Sequence, residues 1–276
     1  LRQRRGPLIA IGGAEDKFRD RTILSRFVEM SGGDKARIVI IPTASSLPDA
    51  GQLYVTVFKE LGAAEADVLT VDTRHDAADQ RLVDLVETST GIFLTGGNQI
   101  RIAATLGGTR VADALDRRSL EGVPVAGTSA GASVMSGVMI AGGRSGGTPK
   151  RQLARMSPGL GLIDSIIIDQ HFRERNRVGR LVTMVSYNPG LLGLGIDEDT
   201  AAIIFADGML EVIGRGSVLI VDGAAMASDV HSGLDRQPVT ISDVKIHFVA
   251  EGSSFDLEQR TVTTWRKESR TRRAAQ

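Results

Sequence analysis

Along the first half of the chain, short β-branched apolar runs alternate with stretches whose apolar positions recur every three or four residues. The runs expected as strands are PLIAIGG (7–13), ARIVIIPTAS (36–45), ADVLTVD (66–72), TGIFLTGG (90–97) and VPVAG (123–127). Helical patterns fall between them near 20–31, 51–62, 79–88 and 99–119. Strand, helix, strand in repetition implies parallel pairing, because a right-handed crossover needs a helix to return the chain. The expected fold class is α/β, a mostly parallel doubly wound sheet with helices on both faces.

After about residue 140 the rhythm changes. AGGRSGGTPKRQ (141–152) reads as a Gly-rich, basic, mobile loop, SIIIDQHF (165–172) as a strand, and a helix is expected near 173–188. GLGIDED (193–199), AAIIFADG (201–208), MLEVIGRG (209–216) and SVLIVDG (217–223) read as short strands joined by Gly and Asp turns. Such turns suggest antiparallel hairpins closing one edge of the sheet as a C-terminal extension. No repeat or linker divides the 276 residues, so one domain over 1–276 is expected, with a basic flexible tail from about 266.

Composition removes several function classes. Lys plus Arg and Asp plus Glu both total 33, which leaves no net field for nucleic acid or a membrane surface, and aromatics at 4% offer little for base stacking. No apolar run reaches the 18 residues of a membrane span. No signal segment is visible, so a cytoplasmic setting is expected. The absence of cysteine excludes disulfides, thiolate metal sites and a cysteine nucleophile. Both ends, LRQRR and WRKESRTRRAAQ, are basic and read as solvated termini.

The candidate chemistry starts at Gly127-Thr128-Ser129-Ala130-Gly131, a G-x-S-x-G between an apolar strand and a small-residue helix. A serine at such a turn projects Oγ above the carboxyl edge of the sheet, and the alternative is a serine that merely caps a helix. The N–H of Ala130 and that of Gly97 or Asn98, at the end of a neighbouring strand, could form a two-donor oxyanion hole. Among four histidines, His75 lies in a polar loop, and His231 and His247 have no motif around them. His171 is favoured chiefly because those three are poor candidates; a buried strand emerges there into Asp169, Gln170 and His171, where ligand-facing residues belong, the alternative being a surface histidine at a strand end. Its orienting acid is open among Asp197, Glu198, Asp199 and Asp169. Arg177 and Arg180 stand at i and i+3, able to grip one anion, in a run with Arg173 and Arg175 that would otherwise be a solvated helix face.

GGAED (12–16), IPTAS (41–45), FLTGGNQ (93–99), GTSAGA (127–132), DQHFRERNRVGRL (169–181) and GLGIDEDTA (193–201), in this order and spacing, resemble the cyanophycinase branch of the serine peptidases related to aspartyl dipeptidase. The resemblance implies a fold similar to class I glutamine amidotransferases and hydrolysis of cyanophycin, a poly-aspartate carrying arginine on each β-carboxyl, to β-Asp-Arg dipeptides. It implies Ser129 as nucleophile, His171 as base and Glu198 as orienting acid. Gln99 and Asp169, with Gln170 beside them, would line the substrate site. Arg175, Arg177 and Arg180 would meet the polymer's carboxylates. Asp169, Glu174 and the spare acids of DED are candidates for its arginine. Many relatives carry Asp where Asn98 stands. No metal or cofactor is implied, and a homodimer is. The rival readings are an aspartyl or isoaspartyl dipeptidase of the same clan and a non-catalytic binding module on this fold.

Overall fold

The computed structural model describes residues 5–233 and 235–265; most of LRQRR and the expected tail from 266 lie outside them. The N-terminal half alternates as its pattern requires: β1 (Leu8–Ile11), α1 (Thr22–Met30), β2 (Arg37–Ile41), α2 (Ala50–Glu60), β3 (Glu65–Val68), α3 (Gln80–Thr88), β4 (Gly91–Leu94), α4 (Gln99–Leu106), α5 (Arg110–Leu120) and β5 (Val125–Thr128). β1, β5, β4, β2 and β3 pair in that order, all parallel.

Successive strand residues point to opposite faces, and both faces are buried. Leu8, Ala10, Val39, Ile41, Ile92 and Leu94 pack on one side with apolar residues of α3, α4 and α5. Ile9, Ile11, Ile38, Ile40 and Phe93 pack on the other with α1 and α2, where Phe27, Tyr54, Phe58 and Phe93 have ring centroids 4.5–6.0 Å apart. Each Val, Leu, Ile or Phe side chain among them contributes about 1.5–3 kcal/mol by leaving water. This two-faced burial makes the runs continuously apolar.

The single helix expected over 99–119 is two. Gly107 and Gly108 (φ +66°) break it, and the Thr109 hydroxyl accepts the Ala112 N–H to start α5.

The second half departs further. It contains α6 (Ala130–Ser133), β6 (Val138–Gly143), β7 (Ala154–Pro158), β8 (Ile166–Gln170), α7 (Val178–Tyr187), β9 (Leu192–Ile196), β10 (Thr200–Ile204), β11 (Met209–Gly214) and β12 (Ser217–Asp222). After these come β13 (Ala227–Ser228), β14 (Ile241–Ser242), β15 (Lys245–Ala250), β16 (Ser254–Asp256) and β17 (Thr261–Thr264). The four strands expected to close one edge divide between two sheets. β10 extends the central sheet antiparallel to β1, and β11, β16 and β17 follow, each antiparallel to the strand before it, for nine strands among the described residues. β9 and β12 instead join β8 and β15 in a four-stranded sheet in which β8 and β9 are parallel.

The Gly-rich segment 141–152 is not a free loop. Its start belongs to β6, which pairs with β7, and Gly146 N–H donates to Asn176 O (2.8 Å). Arg151, 6% exposed, donates to Pro238 O (3.1 Å) and Asp229 O (2.6 Å).

Candidate active site

Ser129 leaves β5 with φ 52° and ψ −109°, a conformation that costs of order 1–3 kcal/mol and persists only where surrounding contacts hold it. Its N–H donates to Ile11 O (2.9 Å), and its carbonyl accepts from the N–H groups of Ala132 and Ser133 (3.1 Å each). A Cβ on Gly127 would lie 2.3 Å from Gly131 O, and one on Gly131 would lie 2.3 Å from Leu94 O. The two glycines of G-x-S-x-G are therefore required by the close approach of strand, turn and helix. The outgoing helix is one turn only, so local N–H groups rather than a long helix dipole face the site.

β8 and β9 are parallel neighbours and release His171 and Glu198 at the same end of their sheet. Ser129 Oγ lies 3.0 Å from His171 Nε2, and His171 Nδ1 lies 2.6 Å from Glu198 Oε1. The network assigns the tautomer: Nδ1–H donates to the carboxylate, and the Nε2 lone pair accepts the serine proton. Burial pushes the His171 imidazole below its ordinary value; Glu198 works against that shift, and Arg175 and Arg177 add to it. A base kept neutral beside a hydroxyl suits acyl transfer.

The other histidines lie elsewhere. His75 is exposed, and His231 and His247 pack edge-to-face against Tyr187 (5.5 Å) and Phe255 (5.1 Å). Among the described residues, no group of three or more His, Asp or Glu side chains is placed to hold a metal ion.

At the expected oxyanion hole, the turn after β4 borders the elbow, since a Cβ on Gly96 would lie 3.4 Å from Ser129 Cβ. The Gly97 and Ala130 N–H groups donate to none of the described residues. Asn98 has a different duty from the one expected. Its N–H donates to Ala44 O (2.8 Å), and its Oδ1 caps α4 by accepting the Ile100 N–H (2.9 Å).

The residues expected to meet substrate separate into two groups. Arg177 and Arg180 do converge on one anion, but it is the chain's own Asp169. Arg180 Nε donates to Asp169 Oδ2 (2.8 Å) and its Nη2 to Oδ1, while Arg177 Nη1 donates to Asp169 Oδ1 (3.2 Å) and to Gln170 Oε1 (2.7 Å). All four residues are buried. Burial pushes the Arg177 guanidinium down to about 10, with Asp169 opposing and Arg180 adding repulsion. The reason is periodicity: Asp169 shares a strand face with Ile167, and that face packs on α7. The helix expected from 173 begins only at Val178, so Arg173 and Arg175 lie on the turn that follows His171.

Gln99 Nε2 donates to Ile140 O (2.9 Å) and Ala141 O (3.1 Å), tying α4 to β6. The acids weighed for a substrate arginine are also engaged. Asp197 accepts from Arg173 N–H and Ser217, Glu174 accepts from Glu198 N–H and Arg173, and Asp199 pairs with Arg215. Arg175 is the contrast: exposed, near His171, and without a carboxylate partner among the described residues.

A strap that the sequence reading left aside ties the site together. Gly12 O accepts the His171 N–H (2.8 Å), Gly13 O accepts the Asp199 N–H (2.9 Å), and Asp16 N–H donates to Asp199 Oδ1 (2.8 Å). Its sequence signal was the GGAED stretch of the family resemblance, to which no site role was attached and whose Gly-Gly pair otherwise reads as a turn.

Comparison with known proteins places this geometry in context. The profile of peptidase family S51 matches residues 8–213. The chain is 44% identical over 259 residues to a cyanophycinase of Nostoc sp. (strain PCC 7120 / SAG 25.82 / UTEX 2576), covering 92% of this chain and 87% of that protein. It is 42% identical over 261 residues to a cyanophycinase of Synechococcus elongatus, covering 94% and 81%. A crystal structure of a peptidase from an acI-B1 Actinobacterium shares the fold, with a TM-score of 0.63 at 23% identity over 88% of this chain and 97% of that one.

Proposed function

This chain belongs to peptidase family S51 and is a serine-type peptidase, and on that premise we propose that it is a cyanophycinase that works through Ser129, His171 and Glu198. Curated relatives of that name share 42–44% identity with it across nine-tenths of the chain. The observation that carries the mechanism is the imidazole of His171 held between the Ser129 hydroxyl at 3.0 Å and the Glu198 carboxylate at 2.6 Å.

Ser129 Oγ attacks an α-peptide carbonyl of the poly-aspartate backbone as its proton passes to His171 Nε2. Glu198 holds the ring and stabilises the imidazolium. The N–H groups of Gly97 and Ala130 receive the oxyanion. The imidazolium returns its proton to the leaving amine, the peptide C–N bond breaks, and a water activated by the same imidazole hydrolyses the ester, so that each full turn of the cycle shortens the polymer by one β-Asp-Arg dipeptide. Arg175, near the imidazole and without a carboxylate partner among the described residues, meets a carboxylate of the polymer. Asp169, Gln170, Arg177 and Arg180 act from behind, keeping the turn after β8 in place. A homodimer in the cytoplasm belongs to the same reading, and sedimentation of the purified chain tests the oligomer.

The test is mass spectrometry of products from cyanophycin and from Asp-X dipeptides, with the Ser129→Ala variant as control. Dipeptides from the polymer, lost in Ser129→Ala while polymer binding persists, are expected. Turnover of short peptides alone would move the assignment to a dipeptidase, and wild-type activity in Ser129→Ala would end it.

A further inference from the structure

The carboxylate of Glu15 is buried beside the serine elbow and takes no part in the proton relay. Its side chain is 1% exposed and collects three donors: the Tyr54 hydroxyl and the Lys17 ammonium (2.8 Å) on Oε1, and the Thr128 hydroxyl (2.5 Å) on Oε2. Thr128 is the last residue of β5, immediately before Ser129, and is itself 3% exposed.

We propose that Glu15 is a positioning residue for the nucleophile: by holding the Thr128 hydroxyl it fixes the end of β5 from which Ser129 turns, and so sets the direction of Oγ toward His171. The inference rests on Ser129 being the nucleophile. A strained turn needs neighbours that over-determine it. The N–H and carbonyl of Ser129 are held by Ile11 and α6, and the Glu15 contact fixes the preceding side chain as well. Hydrogen bonds to a charged acceptor are the strong ones, and a buried acceptor has no water to fall back on. Burial and the Glu15 charge raise the Tyr54 hydroxyl well above its ordinary value, so it remains a donor. Glu15 also continues the strap whose Gly12 carbonyl accepts the His171 N–H. One stretch of backbone thus indexes both nucleophile and base.

A carboxylate that served only to stabilise the fold would change melting temperature without changing the chemical step of the folded enzyme. The test uses Thr128→Val, which keeps shape and removes the donor, Thr128→Ser, which restores the donor, and Glu15→Gln. Readouts are kcat, KM, melting temperature and the rate at which a fluorophosphonate labels Ser129. Thr128→Val should lower kcat and labelling by roughly 10–100-fold, the scale of a small misplacement of reacting atoms, with KM within about twofold. Thr128→Ser should recover most of the loss. Glu15→Gln should act in the same direction, and the double variant Glu15→Gln/Thr128→Val should cost no more than its worse single, since the two groups form one contact. Wild-type labelling in Thr128→Val, independent multiplication of the two effects, or a Thr128→Ser enzyme no better than Thr128→Val would overturn the inference alone. A wild-type enzyme that ignores the probe would overturn the nucleophile assignment and this inference with it.

Discussion

Gly13 lies against the imidazole of His171: a Cβ there would stand 2.4 Å from Cε1 and 2.6 Å from Nε2. Its φ of +99° is also a conformation that side chains rarely adopt. Gly13→Ala should displace the ring from Ser129 and lower kcat at least about 100-fold. Steady-state kinetics beside a thermal melt separates the displaced ring from simple unfolding. Wild-type kcat in the variant would mean that the ring is not fixed by this contact.

The pH profile should carry the signature of a buried, neutral base. In the proposed relay His171 must be unprotonated to accept the serine proton, so activity should be lost as pH falls through its pKa, which burial holds below its ordinary value. Glu198 raises this pKa and Arg175 lowers it. Glu198→Gln should therefore move the acid limb of kcat/KM further down while cutting kcat by roughly 10²–10⁴-fold. Arg175→Gln should move the limb up. Shifts of opposite sign to these would contradict the assigned base.

Arg175→Gln should also separate binding from chemistry. The side chain is exposed and unpaired by any carboxylate among the described residues, so the melting temperature should hold. KM for the polymer should rise by about tenfold, the order of one charged contact. An unchanged KM would remove Arg175 from the substrate surface.

Asp169→Asn should act on stability first. It leaves the buried guanidiniums of Arg177 and Arg180 facing each other without their shared anion. Breaking such a pair costs about 3–5 kcal/mol, which at roughly 2–4 °C per kcal/mol is a drop of about 6–20 °C in melting temperature. Circular dichroism on heating measures it. A raised KM without loss of stability would return Asp169 to a direct role in binding.

What the sequence disclosed follows from how local each constraint is. The parallel half was legible because each strand runs apolar for its whole length and each crossover carries its own helical period. The elbow was legible because its glycines bracket Ser129 within five residues of sequence; Gly127 answers the Gly131 carbonyl four residues on, although Gly131 itself answers Leu94 on a neighbouring strand. Gly and Asp turns around 193–223 mark where the chain reverses but not which strand receives it. β10 pairs with β1, almost 200 residues earlier, so the division into two sheets left no local trace. Arg177 and Arg180 looked able to grip a carboxylate of the substrate because Asp169, on the strand before them, was counted as a ligand-facing residue rather than as their partner. Asn98 looked like an oxyanion donor because nothing in GGNQ announces the Ala44 carbonyl that takes its N–H. The choice of Glu198 among four acids came from family resemblance, not from spacing.

The division of the relay between two sheets has a thermal consequence. Ser129 is carried by the nine-stranded sheet, while His171 and Glu198 ride on the four-stranded one. A slide of an ångström or two between these layers would part the hydroxyl from its acceptor while leaving every strand paired. On gradual warming, catalytic competence should therefore fade before the far-ultraviolet signal of the helices and strands, and should return on cooling from that interval.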